Sequence, residues 1–162
     1  MAVWNNAFDQ ATRIYPLDGG ISPDAPAEEH LRALIHSNVH RVLDAGELGY
    51  AGQILLKEMS EPTDVLRSVL RNAIQPLREQ MRKIITQLLG SKAGDLEIGF
   101  CEMSVISQFL ALGFRRGSLT SSLVKNKGKL TTEYIDALVE HITRFSLAGI
   151  KVVRENVRFS KI

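Results

Sequence analysis

IGFCEMSVISQFLALGF, residues 98–114, decides how this chain folds. Glu102 is the only charge in it. Turned at about 100° per residue, its apolar side chains reach nearly every side of a helix. A helix that is apolar all round has to be covered all round. A bilayer asks for about 20 apolar residues; this run is shorter and is interrupted by Glu102, so a helix of a soluble domain is the better reading. A small domain covers one side of such a helix easily and both sides with difficulty. The expectation is therefore a helix set between the domain core and a partner, with a central core helix of the monomer as the alternative. Cys101, Ser104, Gln108 and Ala111 form a strip of small or polar residues on it, suited to close helix approach or to the wall of a polar pocket.

Outward from this run, helical periodicity recurs. Alternating β-branched runs and Asn-Gly or Asp-Gly hairpin turns, the marks of strands, are missing. Residues 3–15 read as a first helix, ended by Pro16 and the turn LDGG. A second follows ISPDAP, with Pro26 in its first turn and Glu28 and Glu29 at its positive end. Leu31, Leu34, Ile35, Val39, Val42 and Leu43 make its single apolar stripe, and Gly46 closes it. A third helix runs from about residue 47 to 59. Ser60 or Glu61 caps a long fourth one, whose apolar side runs from Leu66 through Met81 to Leu88; Pro76 is expected to kink it and Gly90 to end it. A fifth spans about 95–116 from an Asp95 cap. RGSLTSSLVKNKGK, residues 116–129, reads as a basic surface loop. The last segment starts from a Thr131 or Thr132 cap and turns Ile135, Leu138, Val139, Ile142, Phe145, Val152 and Val153 inward, with Gly149 as a bend or break. The sum is an all-α domain of six to seven helices, a single domain over residues 1–162.

Within ILLKEMSEPTDVL, residues 54–66, two charges interrupt an apolar run. Leu48, Ala51, Leu55 and Met59 share one helix face. Lys57 points nearly opposite and is solvated, whereas Glu58 falls at the edge of the buried side. A partly buried carboxylate needs a partner, and Arg67 and Arg78 on the next helix are the candidates.

Composition limits the function. The chain has 162 residues, 44% apolar and 23% charged, which allows a hydrophobic core without metals or disulfides. Cys101 is the only cysteine, in keeping with a reducing, cytoplasmic compartment. The start, MAVWNNAFDQ, lacks the pattern of a signal peptide. Net charge is +2, with −3 over residues 1–99 and +5 over residues 100–162, too mild a basic excess for a nucleic-acid surface. There is no GxSxG, no CxxC, no HExxH and no glycine-rich phosphate loop, so no enzyme and no cofactor is expected. His36 and His40 stand at i and i+4, a spacing that binds metal when both face a third ligand; without a visible third ligand they read as boundary and surface histidines, and no metal is expected.

LLKEMSEPTDVL, the helix containing IQP, SVISQFLALGFRR and EHITRFSLAGI, taken in order, resemble the C-terminal regulatory domain of TetR-family transcriptional regulators, most of all those of the CecR branch. YPLDGGISPDAPAEEHLRALI resembles the stretch after that family's linker helix, and residues 1–15 resemble the linker helix itself. The family's N-terminal helix-turn-helix has no counterpart here. Lys57 stands where the branch usually has arginine, and Gly113 where bulkier residues are common. The resemblance implies a domain that takes a small hydrophobic or aromatic effector among its helices. It also implies a homodimer held by a four-helix bundle of the last two long helices of each copy. Operator DNA would be contacted only through the missing N-terminal domain, and no membrane is involved. Phe8, His36, Met59, Met81, Met103 and Phe109 are then the expected pocket wall, with methionine suited to adaptable apolar binding. Glu58, Arg67, Arg78 and Gln108 are the polar groups that orient a ligand. Ser104, Ala111, Ile142, Phe145, Ser146 and Gly149 are the expected dimer contacts. The rival reading is a helical homodimeric interaction module that binds no ligand.

Overall fold

The computed structural model describes residue 10 and residues 12–43, 64–122 and 131–159, excepting the side chains of residues 64–73, 110, 114–122, 158 and 159. These residues form four long helices: α1 (Ala27–Leu43), α2 (Asp64–Leu89), α3 (Asp95–Ser122) and α4 (Thr132–Phe159). Residues 12–14 are helical as well, and there is no strand among the described residues. The protein is all-α, as the periodicity predicts. The helix expected over residues 47–59 lies outside the described residues, as do Gly46, Lys57 and the Ser60–Pro62 cap.

Local chemistry sets most helix ends. The Pro26 carbonyl accepts the N–H groups of Glu29 and His30 at 3.0 and 3.1 Å, opening α1, and Glu28 and Glu29 face its positive end. Gly90 closes α2 at φ 84°, its N–H bonded to the Thr86 carbonyl at 3.0 Å, the left-handed stop that glycine adopts without penalty. Pro76 lies inside α2 without ending it. The Thr131 hydroxyl accepts the Tyr134 N–H at 3.3 Å and starts α4, which runs on through Gly149 uninterrupted.

Two boundaries differ from the expected ones. At the start of α3 the cap is Gly94, whose N–H donates to Glu97 Oε2 at 2.9 Å in half of a capping box. Asp95 sits one position in, and its carboxylate accepts Arg82 Nη2 of α2 at 2.5 Å instead. At its other end α3 continues to Ser122, past the expected stop near Arg116. One glycine, Gly117, costs a helix interior only about 1 kcal/mol and does not by itself end it.

Each of the four helices touches the other three around one core. Leu31, Leu34, Ile35 and Val39 of α1 are fully buried, and α2 adds Met81 and Ile85. From α3 come Val105 and Phe109, the latter the largest fully buried side chain among the described residues. The α4 side is narrower than its sequence stripe suggests. Val139, Ile142 and Ile150 are buried, whereas Phe145 and Val152, expected inward, are exposed.

The chain before α1 is tied to it by backbone acceptors. The Ser37 hydroxyl faces the Tyr15 and Pro16 carbonyls at 2.8 and 2.5 Å, and Arg41 donates to the Tyr15 carbonyl from Nε at 3.0 Å and from Nη2. Burial lowers the Arg41 pKa to about 10, so the guanidinium stays cationic at neutral pH. A hydrogen bond to a charged group contributes about 1.5–3 kcal/mol, here offset in part by the desolvation that lowers the pKa. Arg41→Ala is expected to lower stability by roughly 1–2 kcal/mol in urea unfolding, with Arg41→Lys recovering only part, because an ammonium lacks the two-pronged donor.

Candidate functional site

The outer sides of α3 and α4 carry apolar residues that the fold leaves uncovered. On α3, Leu96, Phe100 and Met103 are exposed, Phe100 at 61% and Met103 at 60%. Their spacing of four and three residues keeps them in one row. On α4, Phe145 is 65% exposed and Val152, seven residues on, is 56% exposed. By length and composition alone, Asp95–Gly113 would pass for a membrane-crossing segment. In the fold its other side is core: Ile98, Cys101, Val105 and Phe109 are buried.

Between the two rows lies a cleft of about 280 Å³, with Phe100, Ser104 and Gln108 on the α3 wall and Phe145, Ser146 and Gly149 on the α4 wall. Gln108 Nε2 donates to Ser146 Oγ across its floor at 3.0 Å. Two hydroxyls along α3 are satisfied within the helix: Ser104 donates to the Phe100 carbonyl at 2.8 Å and Ser107 to the Met103 carbonyl at 2.6 Å. A hydroxyl bonded back to the fourth carbonyl before it can enter an apolar contact without being orphaned. Gly149 has nothing within 4 Å of where a Cβ would stand, so this wall is open to a close approach from outside. Cys101 also lines the cleft; burial, and then the neighbouring Glu97 charge, raise its thiol pKa, which keeps it a neutral packing group rather than a nucleophile.

The residues expected to meet a ligand are dispersed. Phe8, Glu58 and Met59 lie outside the described residues, and so does the side chain of Arg67 on α2. Met81 and Phe109 are fully buried in the core. His36, Arg78 and Met103 are exposed on three different helices, α1, α2 and α3. Of the six whose side chains are described, only Gln108 lines the cleft. The residues expected at a dimer contact gather more closely. Ser104, Phe145, Ser146 and Gly149 line the cleft, and Ala111 is exposed further along α3. Ile142 is buried inside its own protomer. Phe100 and Val152 are exposed beside these residues as well; the four- and seven-residue spacing to Ser104 and Phe145 carries that signal in the sequence.

Residues 27–150 match the family model described as the C-terminal domain of the HTH-type transcriptional dual regulator CecR. The match begins at the first residue of α1 and ends within α4. A comparison with curated proteins returned no match.

Proposed function

The chain belongs to the family of CecR C-terminal domains, regulatory domains of a TetR-like transcriptional regulator, and from that premise we propose that it is an effector-binding and dimerisation domain. Two copies pack through α3 and α4 as a four-helix bundle. Operator DNA is read by a helix-turn-helix outside these residues, in the cytoplasm, under the control of a small hydrophobic or aromatic effector.

The observation that carries this reading is the pair of apolar rows flanking the cleft. A contiguous apolar face with internally satisfied hydroxyls fits an interface with another protein surface. The family's homodimeric design points to a second copy. The cleft is at the small end for a drug-sized ligand, whose pockets run to about 300–1,000 Å³, and its size and apolar walls suit a side chain of the partner. An effector then belongs among the core-facing sides of α2 and α3, where Met81 and Phe109 lie. Since α3 has one side in the core and the other toward the partner, a ligand that shifts α3 changes how the two copies sit. Operator affinity follows, because half-sites lie one DNA turn or a multiple apart.

Thermal melting tests both parts. A dimer melts at a temperature that rises with protein concentration. A ligand at a hundred times its Kd adds about 2.7 kcal/mol, which in a domain of this size raises Tm by about 5–10 °C. The expected outcome is such a rise with at least one member of a panel of hydrophobic drugs and aromatic acids. A concentration-dependent Tm that no compound moves would favour the ligand-free interaction module.

A further inference from the structure

We propose that His36, His40 and Asp136 form a binding site for a divalent transition-metal ion of the zinc class, joining α1 to α4. The two histidines stand one turn apart on α1, and the fold supplies the third ligand that their spacing requires: Asp136, 96 residues further along the chain. One donor atom from each of the three lies within 4.8 Å of the others. His40 Nε2 is 3.8 Å from Asp136 Oδ1, and the two imidazole rings are 4.2 Å apart, centroid to centroid. Around tetrahedral zinc, with ligands at about 2.0–2.2 Å, neighbouring donor atoms sit roughly 3.3–3.5 Å apart. Closing the remaining distance takes an ångström or so of side-chain rotation.

The three side chains are suited to that closure. His36 and Asp136 are exposed and can turn freely. His40 is half-buried, and the Tyr15 ring stacks on it at 5.2 Å and 24°, which fixes the plane of one ligand before the ion arrives. His36 and Asp136 are exposed, so a water molecule can supply a fourth ligand. Two imidazole nitrogens and one carboxylate oxygen are a donor set for zinc, nickel or copper rather than calcium or magnesium. Of the neighbouring charges, Arg32 and Glu140, one turn away on each helix, neutralise one another at 2.8 Å, and the Arg41 guanidinium is held on the Tyr15 carbonyl. Without a metal, His40 and Asp136 are too far apart for a hydrogen bond and form at best a weak surface ion pair. Asp136 and Phe145 are nine residues apart on α4, about half a turn out of phase. The metal site therefore faces away from the proposed dimer contact, and both can be occupied together.

The test is isothermal titration of the chelator-stripped chain, produced without a histidine tag, with zinc chloride, and with cobalt(II) followed by visible absorption. The expected result is one ion per chain, with a cobalt spectrum of a low-symmetry four- or five-coordinate site and no thiolate charge-transfer band, since Cys101 is not in the site. His36→Gln and Asp136→Asn, both at exposed positions where folding is unaffected, should each weaken binding at least about tenfold, the loss seen even for groups outside the ligand set. His30→Gln and His141→Gln, which change the other two histidines, should leave binding unchanged. Circular dichroism checks that each variant is folded. No binding at micromolar metal, or binding that persists undiminished in both His36→Gln and Asp136→Asn, would overturn the proposal.

Discussion

Phe145→Arg and Ala111→Arg are each expected to give a folded monomer in place of the dimer proposed for the parent chain. Both positions are exposed within the protomer, so the substitution itself should change protomer stability by no more than about 0.5 kcal/mol. In the proposed pairing the same side chains are desolvated against the second copy. An uncompensated charge in such a contact costs roughly 3–5 kcal/mol, and a two-fold interface brings it in from both sides. A single such cost already weakens dimerisation by more than about a hundredfold. Phe145 carries the larger effect, because arginine there also removes an aromatic side chain beside the cleft. Ser104→Ala and Ser107→Ala, whose hydroxyls are satisfied inside their own helix, should leave association nearly unchanged. Light scattering paired with circular dichroism separates loss of pairing from loss of fold. A folded dimer of Ala111→Arg beside a monomer of Phe145→Arg would place the contact nearer the α4 row.

Gly19→Ala is expected to be the most damaging glycine substitution among the described residues, destabilising the protein by about 2–4 kcal/mol. Gly19 has φ 61°, a left-handed conformation that costs a residue with a Cβ about 1–2 kcal/mol. A Cβ there would also stand 2.8 Å from the Cβ of Ala33, a buried residue of α1. Two carbons that close must move apart, and overfilling a packed contact costs typically 1–3 kcal/mol. Gly20, the next residue, has φ 68° with nothing within 4 Å of the Cβ position. Gly20→Ala therefore bears the backbone cost alone, and the difference between the two variants in urea unfolding measures the contact with α1. Equal losses would mean that the turn shifts away from Ala33 at no cost. The turn also bears on function. Together with the Arg41 and Ser37 bonds it fixes how the segment before α1 leaves the domain, and in the proposed regulator that segment leads toward the DNA-reading part.

What the sequence makes legible here is what local chemistry decides. The α1 stripe, the Thr131 cap and the Gly90 stop depend on residues within a turn or two of one another, and all three are where the pattern puts them. Asp95 looks like a cap by the same local rules, but Arg82 of another helix draws its carboxylate away and leaves the capping to Gly94 and Glu97. The apolar side of α4 is broad enough in sequence to look like one inward face. It divides because three neighbouring helices cover Val139, Ile142 and Ile150 but leave Phe145 and Val152 bare, and periodicity alone cannot show where a neighbouring helix stops. The link from Arg41 to the Tyr15 carbonyl has no sequence signal, since any residue offers a carbonyl. Asp136 is invisible as a partner for His36 and His40 until the fold sets α4 beside α1. Glu58 and Lys57, which helical periodicity is expected to separate into a half-buried and a solvated charge, lie outside the described residues.

Light scattering of the unmodified chain at micromolar concentration tests the central claim most directly. A pair of chains joined through α3 and α4 predicts a mass twice the 18.0 kDa of one chain. A folded species of 18.0 kDa at those concentrations would contradict it.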